Sequence, residues 1–342
     1  MTGSAWSKCS AGHREAVTER WHTGSRSAFP VAIGWLVIAP LAVCAAADVA
    51  QLQESSTLLL LAIGLTPFLG VPALVALGIG LQYRHRVLTG VSAATAGVFL
   101  LSTLPGLGIP TGARPLTGTQ SLLRLFSANV HFANPDIGWI AQEITATTPD
   151  VVALQEIDLD GAAGLQKSGA LGRFPYAATV MRTGPAAIGL WSRFPLADVR
   201  VDDVYGMPFI SATVVAGGRR LRVYTVHLIA PLGGDRVRWR AQLRWLDEEL
   251  RRQHGPLVVS GDFNATRYHP SFRRLLSDRL GDAHERHGRG WAMTWPRDQW
   301  PLPPLMRIDH VLVSPDIGVR SVKEGLGQGS DHRPIIADLV LP

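Results

Sequence analysis

Val258-Val-Ser-Gly-Asp-Phe-Asn264 is an apolar run that stops at a glycine and then presents a carboxylate and a carboxamide two residues apart. The β-branched Val258 and Val259, bracketed by Pro256 and Gly261, predict a short buried strand that opens into a loop. Asp262 and Asn264 then fall at the C-terminal edge of that strand, where α/β folds place their chemistry, and residues i and i+2 there point to one side. Alone, the tetrapeptide reads equally well as a Gly-Asp turn in which the asparagine tolerates an unusual backbone angle. The partners supplied by the rest of the chain decide between the two.

Outward from this stretch, from about residue 121 to the end, short apolar or β-branched runs alternate with amphipathic ones. Strands are expected over Leu122–Val130, Val151–Gln155, Ile188–Trp191, Ile210–Val215, Leu221–Leu228, Leu257–Gly261, Ile308–Val313 and Ile335–Leu341. Helices are expected over Ile137–Thr147 and Val237–Arg252; in the second, Trp239, Leu243, Leu246 and Leu250 recur every three or four residues while arginines take the other face. The pattern predicts a sheet-based α/β or α+β domain over 121–342.

The N-terminal third is different in kind. Residues 29–47, 57–81 and 87–109 hold no charged residue, and each approaches the roughly 20 residues that cross a bilayer, so three transmembrane helices are expected. Lys8, Arg14, Arg20 and Arg26 precede the first run, the first connector carries Asp48 and Glu54, and the second carries Arg84 and Arg86. By the positive-inside bias, residues 1–28 form a cytoplasmic tail, and three crossings place the C-terminal domain of a multi-pass cell-membrane protein outside the cytoplasm. Residues 110–120, rich in Gly, Pro and Thr, read as a linker. The two cysteines, Cys9 and Cys44, both precede the domain, which therefore needs neither disulfides nor thiolate ligands.

The net charge of +6 is too modest to mark a nucleic-acid groove, although arginine's planar fork suits phosphate. Arg236, Arg238, Arg240, Arg244, Arg251 and Arg252 lie among Asp247, Glu248 and Glu249 and read as a solvated helix face.

Chemistry is concentrated where the apolar runs end. Ser127-Ala-Asn129, Leu154-Gln-Glu156, Thr225-Val-His227, Gly261-Asp-Phe-Asn264, Ile308-Asp309-His310 and Ser330-Asp331-His332 each put polar groups at a strand terminus. Together they form a set suited to a hard divalent cation and to attack on a phosphorus ester. His310 follows Asp309 and should face the opposite side. His269, His284 and His287 fall in loop-like segments and are expected at the solvent.

In this order the six motifs resemble the endonuclease/exonuclease/phosphatase superfamily, which includes DNase I, exonuclease III-type AP endonucleases, bacterial sphingomyelinases and inositol-polyphosphate 5-phosphatases. The resemblance covers essentially all of 121–342. The blocks Ala-Ile-Gly-Leu-Trp-Ser-Arg-Phe-Pro195 and Met-Thr-Trp-Pro296 are similar to those of bacterial members with hydrophobic N-terminal segments. It implies a DNase I-like four-layer α/β sandwich of two packed β-sheets with the site at one end, preceded here by the three transmembrane helices.

The resemblance also implies roles. Glu156 would be the principal Mg²⁺ ligand, with Mn²⁺ as a substitute, Asn129 would assist it or contact phosphate, and Asp331 would support the metal or position His332. Asp262 would orient or deprotonate the attacking water and Asn264 would hold that water or a phosphate oxygen. His332 would face the phosphorus with Asp309 behind it, and His227 would serve phosphate binding or acid–base chemistry. Thr294, outside these motifs, is expected either to touch phosphate or to cap a turn with its hydroxyl. His227 stands where the DNase I-like and sphingomyelinase-like branches carry a histidine, and the tyrosine-containing motif of the AP-endonuclease branch is not found. The expected activity is hydrolysis of a phosphodiester or phosphomonoester, with DNA suggested by the arginines and a phospholipid headgroup by tethering at a bilayer. No protein partner is evident. The alternative is a catalytically silent, membrane-anchored binding protein of the same fold, against which Glu156, Asp262 and His332 are all present.

Overall fold

The computed structural model describes residues 11–108, 121–276, 279–297 and 303–342, with backbone alone over 11–27, so the linker expected over 110–120 lies outside the described residues. One compact unit runs to Leu52 and resumes over Thr66–Thr103; the second joins Gln53–Leu65 to the chain from Leu104 on.

The apolar third folds as α1 (Ala11–Val49), α2 (Thr57–Gly64), α3 (Thr66–Gln82) and α4 (Arg86–Leu107). Ala28–Val49 of α1 and the whole of α4, 22 residues each, are long and apolar enough to cross a membrane. The expected second span is not one helix: it bends by 85° between α2 and α3, which corrects the expectation of three unbroken spans. Pro67 accounts for the break. It has no N–H for the carbonyl of Ile63, and its ring crowds that carbonyl, so a helix starts here but does not run through. Within the first unit, α1, α3 and α4 share an apolar cluster of Ile38, Ala73, Ala76, Leu88 and Ala96.

The second unit carries α2 and the elements β1 (Ser121–Asn129), α5 (Ile137–Thr147), β2 (Val151–Gln155), α6 (Leu159–Lys167), β3 (Tyr176–Val180), β4 (Ile188–Ser192), β5 (Leu196–Val204), β6 (Met207–Ala216), β7 (Arg219–His227), α7 (Arg236–Arg251), β8 (Leu257–Asp262), β9 (Gly281–Asp282), β10 (Asp309–Val313), β11 (Gly318–Glu324) and β12 (Ile335–Leu341). They form two six-stranded sheets, ordered β11-β12-β1-β2-β4-β3 and β5-β6-β7-β8-β10-β9. Each sheet has one parallel pair, β1 with β2 and β7 with β8. A helix, α5 or α7, makes each crossover, as parallel neighbours require.

Alternation along the strands builds the layers. On β1, β2, β7 and β8, Leu125, Val151, Val223 and Val258 meet between the sheets, whereas Phe126 and Val152 face α5 and Tyr224 and Val259 face α7. Both faces of the central strands are covered, which is why they read as continuous apolar runs. The result is the expected four-layer sandwich of two packed sheets.

The same alternation turns Ser127, Asn129, Gln155, Thr225, His227, Ser260, Asp262 and Asp309 toward the inter-sheet face, all near one end of the sandwich. Gly261 is obligatory here: with φ at 142°, an added Cβ would lie 1.9 Å from the Val226 carbonyl oxygen. His310, one residue out of phase with Asp309, is buried on the helix side, 2.6 Å from Asp282 through Nδ1 and 2.9 Å from the Ala265 carbonyl through Nε2. His269 and His284, expected at the solvent, are buried instead. His284 lies 2.9 Å from Glu324 through Nε2.

Burial works to raise the Glu324 carboxyl, yet the hydrogen bond to His284 and the charges of His284 and Arg289 outweigh it and hold it down to about 2, from 4.5. The folded carboxyl therefore takes up a proton less readily than the unfolded one, so its contribution to stability is present above pH 4.5 and is lost as pH falls toward 2. Glu324→Gln should flatten this acid limb: between those two pH values the melting temperature of the variant should fall less steeply than that of the parent, and parallel curves would remove Glu324 from the account.

Candidate active site

The last residues of β1, β2, β7 and β8 and the first of β10 meet at one end of the sandwich. Register brings them level: Asn129 opposes Gln155, His227 opposes Asp262, and Asp262 opposes Asp309. The sheets are joined there by side chains. Gln155 Nε2 donates to Thr225 Oγ1 at 3.0 Å. Just beyond, Asn129 Nδ2 donates to Glu156 Oε1 at 2.9 Å and to Asp262 Oδ2 at 3.0 Å.

Glu156 sits just past β2 with φ at 59°, a left-handed conformation that costs a residue with a Cβ of order 1 kcal/mol. Its second oxygen accepts from the Phe132 N–H at 3.0 Å. Asn264 is also left-handed, at 47°; its N–H donates to Asp262 Oδ1 at 2.8 Å and its Nδ2 to the Leu228 carbonyl at 2.8 Å. Asn264 Nδ2 also lies 3.4 Å from Asp262 Oδ2, so Asp262 is held by three donors although only 1% exposed. Burial pushes its carboxyl upward, aided by Asp309 and opposed by His332 and His227.

His332 completes the opposite wall. Its Nδ1 donates to Asp309 Oδ2 at 2.9 Å, leaving Nε2 directed at Asp262 Oδ2 at 3.7 Å and Asp331 Oδ1 at 3.8 Å. Burial alone would lower the imidazole, but Asp309 and Asp262 outweigh it and raise it to about 10, so the ring is an imidazolium at neutral pH. His227 faces the same space: Nδ1 donates to the Pro185 carbonyl at 2.9 Å, and Nε2 stands 3.6 Å from Glu156 and 3.7 Å from Asp262.

Asp331 accepts from Trp295 Nε1 at 3.1 Å and lies 3.3 Å from His131 Nδ1. Glu156, His227, Asp262, Asn264, Asp331 and His332 all line one cavity of about 520 Å³.

Two expected contacts are placed differently. Thr294 is 0% exposed and does not line the cavity; its hydroxyl accepts from the N–H groups of Ile308 and Asp309 at 3.2 and 3.3 Å, so it fixes the start of β10. Asn129 is likewise buried, and its oxygen accepts from His131 N–H at 3.0 Å, so it offers its amide nitrogen, not its oxygen, to the site. Gln155, His131 and Trp295 were not anticipated; the only sequence signal for them is their adjacency to Glu156, Asn129 and Pro296.

A hard cation fits this donor set. Glu156 and Asp331 both bring a carboxylate to the cavity, and among its described lining residues there is no lysine or arginine. Asp262, Asp309 and His332 also bring one ligand atom each within 4.8 Å of one another, but one of the three is an imidazole whose Nδ1 is already bonded to Asp309 Oδ2, which leaves the oxygen-rich Glu156 side as the better match for Mg²⁺.

The bridge by Asn129 has a measurable consequence. Asn129→Ala removes a donor shared by two carboxylates, and hydrogen bonds to charged groups contribute about 1.5–3 kcal/mol each. Chemical denaturation of the metal-free protein should show a loss of at least about 1.5 kcal/mol; an unchanged midpoint would mean that the bridge holds nothing together.

Comparison with known proteins agrees with this geometry. No curated protein matches the chain in sequence. Among solved structures, truncated Caenorhabditis elegans TDP2 superposes with a TM-score of 0.56 at 20% identity, covering 66% of this chain and 99% of that one. Bacteroides thetaiotaomicron mannosyl-6-phosphatase gives 0.51 at 17%, covering 64% and 100%. An endonuclease/exonuclease/phosphatase from Beutenbergia cavernae gives 0.51 at 23%, covering 64% and 72%. At these identities the likeness is one of fold. The sequence profile of the Endonuclease/Exonuclease/phosphatase family matches residues 126–332, a span that contains every residue of the site, and the chain belongs to that family of phosphate-ester hydrolases.

Proposed function

We propose that the chain is a membrane-anchored, Mg²⁺-dependent phosphoesterase that hydrolyses a phosphodiester or phosphomonoester by direct attack of water. The observation that carries this reading is the facing pair of Asp262 and His332, 3.7 Å apart, one an acceptor and the other an imidazolium backed by Asp309. Glu156 and Asp331 would hold the cation, and Asn129 keeps Glu156 turned toward it. A bound Mg²⁺ or Mn²⁺ supplies Lewis-acid polarisation of a phosphoryl oxygen.

The protein groups then divide the work. Asp262 accepts a hydrogen bond from the attacking water and takes its proton as the new P–O bond forms. Asn264 holds Asp262 in line and borders the same water. His332 donates from Nε2 to the oxygens where negative charge develops, and its proton goes to the leaving oxygen as the old P–O bond breaks. His227, its Nδ1–H held by the Pro185 carbonyl, turns Nε2 into the same space as an acceptor, for a hydrogen bond from water or from a substrate hydroxyl.

The membrane topology has its own support. Gln53–Leu65 packs in one unit with the catalytic residues, so both lie on one side of a bilayer. Crossings by α1, α3 and α4 meet that condition; crossings by α1 and α4 alone would put them on opposite sides. At 17 residues, α3 reaches about 25 Å, at the short end for a span. With Lys8, Arg14, Arg20, Arg26, Arg84 and Arg86 on the cytoplasmic side, the catalytic domain lies outside.

The full-length chain should release p-nitrophenolate from bis(p-nitrophenyl) phosphate with Mg²⁺, lose the activity with EDTA and regain it with Mg²⁺ or Mn²⁺. Glu156→Gln should abolish it, and Asp309→Asn should lower kcat on the order of 10²–10⁴-fold. No turnover under any of these conditions would favour a silent binding protein. A reporter fused after Pro342 should be active only outside the cytoplasm, and cytoplasmic activity would overturn the orientation.

A further inference from the structure

The catalytic cavity is lined by two kinds of side chain. One is acidic or imidazole, as in Glu156, Asp262 and His332. The other is apolar, with Leu60, Leu61, Met207, Ile229, Leu232 and Met306, and among the described lining residues there is no lysine or arginine. A nucleic-acid strand or a polyphosphate would need cationic side chains for the phosphates that flank the scissile one. None of the α7 arginines that suggested such a ligand is among the described lining residues; Arg238 pairs with Asp235 at 2.9 Å, Arg251 with Asp247 at 3.1 Å and Arg252 with Glu249 at 3.4 Å.

Part of the apolar lining comes from α2, which lies far from the other lining residues in sequence and is fastened in place. His269 is buried, and burial lowers its pKa and keeps it neutral; Nδ1 accepts from the Thr266 N–H at 2.9 Å, so Nε2 carries the proton and donates to the Leu60 carbonyl at 3.0 Å. Glu54, just before α2, accepts from the Ser271 N–H at 2.7 Å and pairs with Arg240 at 3.3 Å. Ser56 caps the helix by accepting from the Leu59 N–H at 3.2 Å. Gly64 passes so close to Met306 that an added Cβ would lie 2.9 Å from its sulfur. Leu60 is 2% exposed and joins the core of Met207, Phe209 and Trp239, while Leu61, 40% exposed, faces the cavity with area to spare.

We propose that α2 is the substrate-selecting wall of this cavity, and that the substrate is a phosphate ester bearing an alkyl or acyl chain, as a membrane lipid does. The chain lies against Leu60, Leu61, Met207, Ile229, Leu232 and Met306 while the phosphorus sits between Glu156, Asp262 and His332. The fixed helix and the apolar side chains admit one phosphate with an apolar neighbour, and the phosphates that would flank it in a polyanion meet no lysine or arginine among the described lining residues. This proposal rests on the phosphoesterase reading.

The test uses the full-length chain in lipid nanodiscs with Mg²⁺ and two chromogenic diesters, methyl p-nitrophenyl phosphate and octyl p-nitrophenyl phosphate. The octyl ester should be preferred at least about 10-fold in kcat/KM, through KM, since each buried methylene favours binding. Leu61→Asn should cut that preference at least about five-fold by raising KM for the octyl ester. Leu58→Asn, on the same helix but outside the lining, should keep the parent preference and so controls for partitioning of the ester into the nanodisc. Turnover of both esters without preference, or a preference untouched by Leu61→Asn, would overturn the proposal alone. Turnover of neither would overturn the phosphoesterase reading and the proposal with it.

Discussion

One amide group sits where the two sheets meet. Asn129 Nδ2 reaches Glu156 on the first sheet and Asp262 on the second, at 2.9 and 3.0 Å. Two carboxylates that share so little space repel unless a donor stands between them, and a hydrogen bond to an ionised acceptor is worth more than a neutral one. The strand registers, the glycine at 261 and the left-handed Glu156 all serve to make that meeting possible. Gln155 and Thr225 repeat the device one layer deeper with neutral groups. The end of the sandwich is therefore tied together by polar side chains where the aliphatic core gives out, and the reactive groups are those same side chains.

The electrostatics follow from this placement. Asp262, Asp309 and Asp331 surround His332 and keep it charged despite burial, so the site holds a fixed cation opposite its water-binding acid before any ligand arrives. Preorganised charge of this kind needs no rearrangement at the moment of reaction. Behind it, the buried layer of Asp282, His284, His310, Arg307 and Glu324 anchors β10 and the loop after β8 without touching the cavity.

Most of the site was legible because a polar residue ending an apolar run is conspicuous, and six such endings recur in a recognisable order. What escaped has physical reasons. The strands not anticipated, β3, β5, β9 and β11, are the four sheet edges; an edge has one exposed side, and β5, with Asp198, Arg200, Asp202 and Asp203, reads as polar loop. The break at Pro67 was hidden by an uncharged stretch in which hydropathy masks backbone chemistry. Thr294 and Asn129 were expected to face a ligand, yet both spend their polar atoms on the frame of the site, a distinction that depends on tertiary hydrogen bonds. The contribution of α2 was invisible for the same reason: no local pattern tells a helix of leucines that it will line a hydrolytic cavity.

The central claim is that water is delivered to phosphorus, so that the P–O bond and not the C–O bond of the ester breaks. Turnover of a phosphodiester by the full-length chain in water enriched with ¹⁸O, read by mass spectrometry of both products, tests it most directly. The account predicts one ¹⁸O in the phosphate-bearing product and none in the released alcohol. Label in the alcohol would place bond cleavage at carbon and contradict it.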